Sequence, residues 1–251
     1  MPHLARQLLL LLILLQGCAT TSDDEYEGMS AEAIYTKARS ELEDGAYQEA
    51  ITTLNRLEAN YPYGLYAQQA QLDTAFAYYK DDQPDAAIAA ANRFIKLHPR
   101  HENVDYAYYL RGLAAYPLEL DTFDRLTGQK KSDHDPQRIR MSFQYFDDLV
   151  RRYPNSQYRQ DAVEKMVRLR NTLAEYELNV ANYYFRRGAY LAAANRAQYI
   201  IENYPKTAVI EPALELMASA YQQLELDDLA KDTQRILELN RTTPAPPLPT
   251  N

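Results

Sequence analysis

The chain has 251 residues and a formal net charge of -8, from 27 Lys and Arg against 35 Asp and Glu. An acidic balance of this kind argues against nucleic acid as a partner, because phosphate contacts need a basic surface. Hydrophobic residues make up 46%, with 22 Tyr, 6 Phe and no Trp, while 7 Gly, 1 Cys and 4 His exclude a glycine-rich nucleotide fold, an intrachain disulfide and a multi-Cys zinc site, and leave little for a metal centre or a His-based triad.

The start of the chain is a leader. Arg6 precedes the apolar run Leu8 to Leu15, and Gln16-Gly17-Cys18 follows. Such a run rises roughly 12 Å as a helix against a ~30 Å bilayer core, so residues 1–17 read as a cleaved secretory signal rather than a membrane span. Leu15-Gln16-Gly17-Cys18 resembles a bacterial lipobox. That resemblance implies a diacylglyceryl group on the Cys18 thiol, cleavage before it, and acylation of the new amine. Three acyl chains anchor firmly, since each buried CH₂ contributes ~0.8 kcal/mol. Ala19, where Asp commonly retains lipoproteins at the inner membrane, implies by the same resemblance the periplasmic face of the outer membrane. Residues 18–29 carry Asp23, Asp24, Glu25 and Glu27 and read as the lipidated Cys followed by an acidic tether. At the other end, residues 242–251 hold Pro244, Pro246, Pro247 and Pro249 and read as an extended tail.

Between these ends the chain reads as helix, and it repeats. Asp44-Gly45-Ala46-Tyr47 through Ala50-Ile51 leads to Tyr61-Pro62; Asp81-Asp82-Gln83-Pro84 through Ala87-Ile88 leads to His98-Pro99; Arg187-Gly188-Ala189-Tyr190 through Ala193-Ala194 leads to Tyr204-Pro205. A small residue stands 12 positions before each proline, and Ser142 stands likewise before Pro154. Ala230 marks a fifth, weaker copy that lacks the proline. The small residue lets a neighbouring helix approach. Apolar residues follow it on the same face, Leu54 and Leu57, Ala91 and Phe94, Phe146 and Leu149, Ala197 and Ile200, at the helical period. Each Pro ends its helix. Partner helices precede the copies, at Ala31 to Glu43, Tyr66 to Lys80, Val104 to Tyr116, and in a long run from Gln160 to Arg186. Helix pairs at this period predict an all-α tetratricopeptide-repeat solenoid of about five pairs. Residues 30–135 are then N-terminal repeats and 136–241 C-terminal repeats. Pro99 to Pro154 and Pro154 to Pro205 are 55 and 51 residues apart, so the later repeats carry insertions. The polar stretch Leu118 to Asp135 is one, equally readable as a binding loop or a surface excursion. Asp135-Pro136 then opens the next helix as N-cap and first residue.

The polar runs within these repeats resemble the BamD family, tetratricopeptide lipoproteins of the outer-membrane β-barrel assembly machinery. The residues that carry the resemblance are Tyr61-Pro62-Tyr63-Gly64 with Gln68-Gln69, Ala77-Tyr78-Tyr79-Lys80, Asp105-Tyr106 with Arg111-Gly112-Leu113, Ser132-Asp133-His134-Asp135-Pro136-Gln137, Arg152-Tyr153-Pro154-Asn155-Ser156-Gln157-Tyr158, and Tyr176-Glu177 through Tyr183-Tyr184 to Asn195-Arg196. Generic repeats share the small residues and prolines but not these runs. Only the tether and the Pro-rich tail depart from the family's pattern.

The resemblance implies a scaffold that performs no catalysis. Its C-terminal repeats would dock on the periplasmic domain of the barrel insertase, a BamA-like protein, and its N-terminal repeats would receive C-terminal targeting segments of unfolded β-barrel proteins. Other accessory lipoproteins of the complex are implied partners. Arg196 matches the family's Arg that pairs with an acidic residue of the insertase. Arg suits that role, because its planar fork fits a carboxylate; the plainer alternative is a surface Arg pairing within its own helix. Taking Ala50 as the twentieth position of a repeat puts Tyr35 and Arg39 on the concave side. The same register puts Phe76 and Tyr79 there, and Gly112 as the small position adds Tyr106 and Tyr109. These rings form a candidate groove for an extended peptide, although the same spacing also fits rings packed as core. Tyr61 belongs to the matched Tyr-Pro motif, though as a helix terminator it needs no partner to explain it.

Charge is uneven: residues 19–60 carry 3 bases and 10 acids, and residues 136–170 carry 8 bases and 4 acids. The basic stretch suits an acidic partner or anionic lipid, or is a solvated face. His98 and His101 read as loop residues, and Asp147-Asp148 as exposed helix charge. No Gly-x-Ser-x-Gly, phosphate loop or zinc-protease motif is present, so neither an enzyme nor a cofactor is expected. A periplasmic adaptor that recruits cell-wall enzymes is the competing function.

Overall fold

The computed structural model describes residues 26–117, 120 and 135–242. The signal peptide, Cys18, most of the acidic tether, the Pro-rich tail beyond Thr242, and the 118–135 insertion apart from Leu120 and Asp135 lie outside the described residues. Those described form ten α-helices and no strand: α1 (Ala31–Glu43), α2 (Tyr47–Asn60), α3 (Leu65–Lys80), α4 (Pro84–Leu97), α5 (Val104–Ala115), α6 (Pro136–Arg152), α7 (Arg159–Arg186), α8 (Tyr190–Asn203), α9 (Ile210–Gln223) and α10 (Asp227–Thr242).

The helices pair in sequence, α1 with α2 through α9 with α10, and every helix also packs on the next in the chain. The first helices of neighbouring pairs touch as well, α1 on α3, α3 on α5 and α7 on α9. Contacts between alternate helices on that side place the first helices on the inner side of the curve. This is the tetratricopeptide-repeat solenoid, and its core is a chain of interfaces between neighbours rather than one centre.

The small residues do what their spacing requires. Ala50, Ala87, Ser142 and Ala193 have no exposed surface and Ala230 is buried. The tightest approach is at Gly112, the small position of α5. A methyl group there would lie 2.5 and 2.6 Å from two ring carbons of Phe146 on α6. Ser142 Oγ crosses the same interface and donates to the Gly112 carbonyl at 3.0 Å.

Helix ends are equally regular. The second helices α2, α4, α6 and α8 stop two residues before their prolines. The intervening Tyr61, His98, Tyr153 and Tyr204 each donate their N–H to the carbonyl four residues back at 2.8 Å, then turn out of helical geometry. A following proline disfavours the α region for the residue before it, so Pro acts through its predecessor. At the turn within a pair, Gly45, Asp82, Gly188 and Glu225 all have positive φ (77, 55, 73 and 58°), each five positions before its buried small residue. The left-handed residue ends the first helix and reverses the chain. Asp135 accepts from the Gln137 N–H at 2.9 Å with Pro136 in the first turn, the N-cap expected from the sequence.

His98 and His101 lie outside the helices, as expected, and are packed there: both rings sit 5.1 Å from Phe94, and His98 Nε2 lies 2.8 Å from Gln71 Oε1. Two local expectations need revision. Asp148 is more than exposed charge, since it accepts from the buried Arg111 at 2.7 Å. The end of the acidic tether is docked: the Tyr26 hydroxyl and Thr53 Oγ1 are 3.0 Å apart.

Candidate functional site

Two faces gather the residues singled out from the sequence. The first lies where α6, α7 and α8 meet. Along α7 the core-facing stripe runs Leu169, Leu173, Glu177, Ala181, all buried at steps of four. A carboxylate therefore occupies a place in an apolar row. Glu177 is 2% exposed, and each oxygen takes one guanidinium: Oε1 accepts from Arg140 Nη2 of α6 at 3.0 Å, and Oε2 accepts from Arg196 Nη1 of α8 at 2.8 Å. An ionised group this deep needs such partners. The two Arg remain 42% and 38% exposed. Arg196 thus pairs across helices rather than within its own. Its guanidinium is also 6.0 Å from the Tyr199 ring. Next to this bridge a concavity of about 450 Å³ is lined by Arg140, Phe143, Arg170, Leu173, Tyr199 and Tyr204 among others. Burial and the neighbouring Tyr199 push the Tyr204 hydroxyl up to about 12, so it stays neutral at physiological pH.

The second face is a row of tyrosines on the first helices. The Tyr35 hydroxyl donates to Asp73 Oδ2 at 2.8 Å, and Gln69 Nε2 donates to Asp73 Oδ1 at 3.0 Å. Asp73 is buried on α3. Burial raises its pKa, while the bonds from Tyr35 and Gln69 and the charge of Arg39 pull the other way. The Tyr106 ring is 5.3 Å from Tyr158; Tyr109 stacks on Tyr158 at 4.8 Å and donates to Asp161 Oδ2 at 2.6 Å. Phe76, Tyr79 and Tyr106 pack half-buried on one apolar cluster of Ala75, Ala91 and Leu110. Burial first, then neighbouring carboxylates and phenols, raise the pKa of Tyr35, Tyr106 and Tyr109. These rings present neutral hydroxyls and apolar edges.

The structure thus brings Tyr35, Phe76, Tyr79, Tyr106 and Tyr109 to one side, with Arg39 near Asp73 and in an exposed ion pair with Glu43 at 3.3 Å. Tyr61 stands apart, at the end of α2, and donates to the Met29 carbonyl at 2.6 Å. Asp73 and Asp161 were not picked out from the sequence; Tyr158 and Glu177 entered only within the family-like runs, and Arg140 and Arg170 only within the basic stretch 136–170. For Asp73 and Glu177 the signal was present: each is an acid inside an apolar helical stripe. Among the described residues, no group of three or more His, Cys, Asp or Glu is placed to hold a metal, and no helix is long and apolar enough to cross a membrane.

The described residues form a five-pair tetratricopeptide solenoid, with a row of tyrosines on its inner side and exposed guanidinium groups anchored on a buried carboxylate elsewhere. Residues 27–237 match the model of the family described as YfiO, outer membrane lipoprotein, and the chain belongs to that family. Among its relatives, the outer membrane protein assembly factor BamD of Neisseria meningitidis serogroup B is 45% identical over 231 residues, covering 90% of this chain and 86% of that one. The outer membrane protein assembly factor BamD of Vibrio cholerae is 39% identical over 232 residues, covering 92% and 96%. That of Xylella fastidiosa is 36% identical over 239 residues, covering 95% and 82%.

Proposed function

We propose that this chain is an outer membrane protein assembly factor that acts as a scaffold without catalysing a reaction. Held by a lipidated Cys18 on the periplasmic face of the outer membrane, it docks on the periplasmic domain of the barrel insertase through the α6–α8 face. There, Arg196 receives an acidic residue of the insertase. The tyrosine row takes C-terminal segments of unfolded β-barrel proteins, and other accessory lipoproteins complete the assembly.

One observation carries the docking reading: Arg196 reaches solvent while one of its Nη atoms is held at 2.8 Å by a carboxylate that is itself out of water. A guanidinium fixed in this way keeps its remaining N–H groups aimed outward, which lowers the ordering cost of meeting a second carboxylate. For the tyrosine row, support comes from half-buried rings on a shared apolar floor, the arrangement that accepts extended peptides with apolar anchors.

The test is a pull-down of the tagged chain from detergent-solubilised outer membranes. The wild type is expected to bring down the insertase, and Arg196→Glu to lose it with its helical circular dichroism intact. Recovery of cell-wall enzymes in place of the insertase would move the protein to the adaptor class.

A further inference from the structure

We propose that the concavity between α6, α7 and α8 is a second anchor site on the docking face, and that its ligand is an acidic side chain of a partner protein with a large apolar residue beside it. This rests on the reading of the α6–α8 face as a docking surface.

The argument begins with a charge count. Arg140 and Arg196 meet on a single buried carboxylate, Glu177, and Arg170 joins Arg140 in the lining of the adjoining concavity. Glu177 already divides its two oxygens between Arg140 and Arg196. Arg170 makes no ion pair among the described residues, and its Nε is buried without a hydrogen-bond acceptor. A buried donor left unpaired costs free energy until something accepts from it. The Arg170 side chain is half-buried and lines a space of about 450 Å³ together with Arg140, so its unpaired charge, rather than the enclosed Nε, is what an incoming carboxylate meets.

The rest of the lining sets the second half of the ligand. Phe143, Leu173 and the Tyr199 and Tyr204 rings supply apolar surface next to the two guanidinium groups. A lone inorganic anion would leave that surface wet. A carboxylate side chain with an aromatic or large aliphatic neighbour satisfies both halves. A concave apolar lining of this kind also separates the site from a flat basic patch, which is what a lipid headgroup layer would use. Tyr199 belongs both to the lining and to the surroundings of Arg196. One partner segment can therefore reach Arg196 and the concavity together, with hot-spot chemistry of aromatic and Arg groups at its centre.

The probe is a short fluorescein-labelled peptide with a central Phe-x-Glu, read by anisotropy against the full mature chain in detergent. Its Gln counterpart and phosphatidylglycerol vesicles serve as comparison ligands. Replacing Glu by Gln in the peptide is expected to weaken binding about tenfold, the scale of one charge-assisted hydrogen bond. Arg170→Gln and Arg140→Gln should each lose a similar factor for the acidic peptide and little for the Gln peptide, with unchanged helical circular dichroism. A peptide bearing benzoylphenylalanine in place of Phe should crosslink to α6–α8. Equal binding of the two peptides, wild-type binding by Arg170→Gln, crosslinking elsewhere, or binding to the vesicles alone would each overturn the proposal. The insertase's periplasmic domain, titrated against the same variants, separates the two readings. Loss on Arg196→Glu with no loss on Arg170→Gln leaves docking intact and overturns the second anchor. Failure of that domain to bind the wild type overturns docking, while the peptide results still decide the concavity.

Discussion

Glu177 is the group that holds Arg140 and Arg196 on the proposed docking face, and replacing it by Gln isolates its charge with almost no change in shape. The amide oxygen can still accept from one guanidinium, but its NH₂ group then faces the other. A hydrogen bond to a charged group contributes about 1.5–3 kcal/mol, and breaking a fully buried pair costs about 3–5 kcal/mol. Here the carboxylate is 2% exposed while the two Arg retain 42% and 38% exposure, so water takes over part of their solvation and the lower range applies. The expected loss is about 2 kcal/mol. For a domain of this size that lowers Tm by about 4–8 °C, at roughly 2–4 °C per kcal/mol. Urea and thermal unfolding followed by far-UV circular dichroism measure it, and a double-mutant cycle with Arg196→Gln isolates the shared contact. The same variant should weaken insertase docking although Glu177 is too deep to touch a partner. A loss below about 0.5 kcal/mol, on the scale of an ordinary surface substitution, would mean that the carboxylate does not hold the two Arg.

Gly112→Ala puts a methyl group 2.5 Å from the Phe146 ring, so overpacking should cost about 1–3 kcal/mol, and Phe146→Leu in the same chain should restore part of it; denaturant melts decide. Tyr35→Phe removes the donor to the buried Asp73, and its cost depends on pH. Burial raises the Asp73 pKa, so the contribution of that group is fully present below the ordinary carboxylate value near 3.8 and is lost as pH rises through the folded-state value. Because the Tyr35 bond favours the ionised form, the variant should cost about 1–3 kcal/mol at neutral pH and less below pH 3.8; an equal cost at both would show that Asp73 is protonated throughout. Phe76→Ala combined with Tyr79→Ala should lower affinity for barrel-protein C-terminal peptides, read by fluorescence titration. Equal affinity of the wild type for a scrambled peptide would count against a groove that reads sequence.

The repeat architecture was legible because it depends on local chemistry. A small residue and a proline at fixed separation mark each second helix, and the four uniform caps at Tyr61, His98, Tyr153 and Tyr204 show why. The left-handed turn was half hidden: Gly45 and Gly188 announce it, but Asp82 and Glu225 adopt the same conformation without the residue that favours it. The charged centres were harder still. Glu177, Asp73 and Arg111 each occupy a core-facing place in a helix, with Leu173 and Ala181, Ala70 and Ala77, or Ala107 and Ala115 as the stripe on either side. A stripe interrupted by a charge shows that a partner must exist, but not which one. Arg111 finds Asn92, Asp148 and the faces of Tyr108 and Tyr145 at 4.4 and 4.5 Å. Tyr108 is one turn back on Arg111's own helix, but Asn92, Asp148 and Tyr145 come from two other helices, and only the packing of the helices decides them. Register placed the tyrosines on one side for the same local reason, yet gave no hint that Tyr158, from the turn before α7, would stack among them.

The most direct measurement is an isothermal titration of the purified chain with the insertase's periplasmic domain, for wild type, Arg196→Glu and Glu177→Gln. The account predicts saturable binding by the wild type, loss of it in Arg196→Glu, and an intermediate weakening in Glu177→Gln, with all three chains folded. Binding that is the same for all three would contradict docking through the Arg196 face.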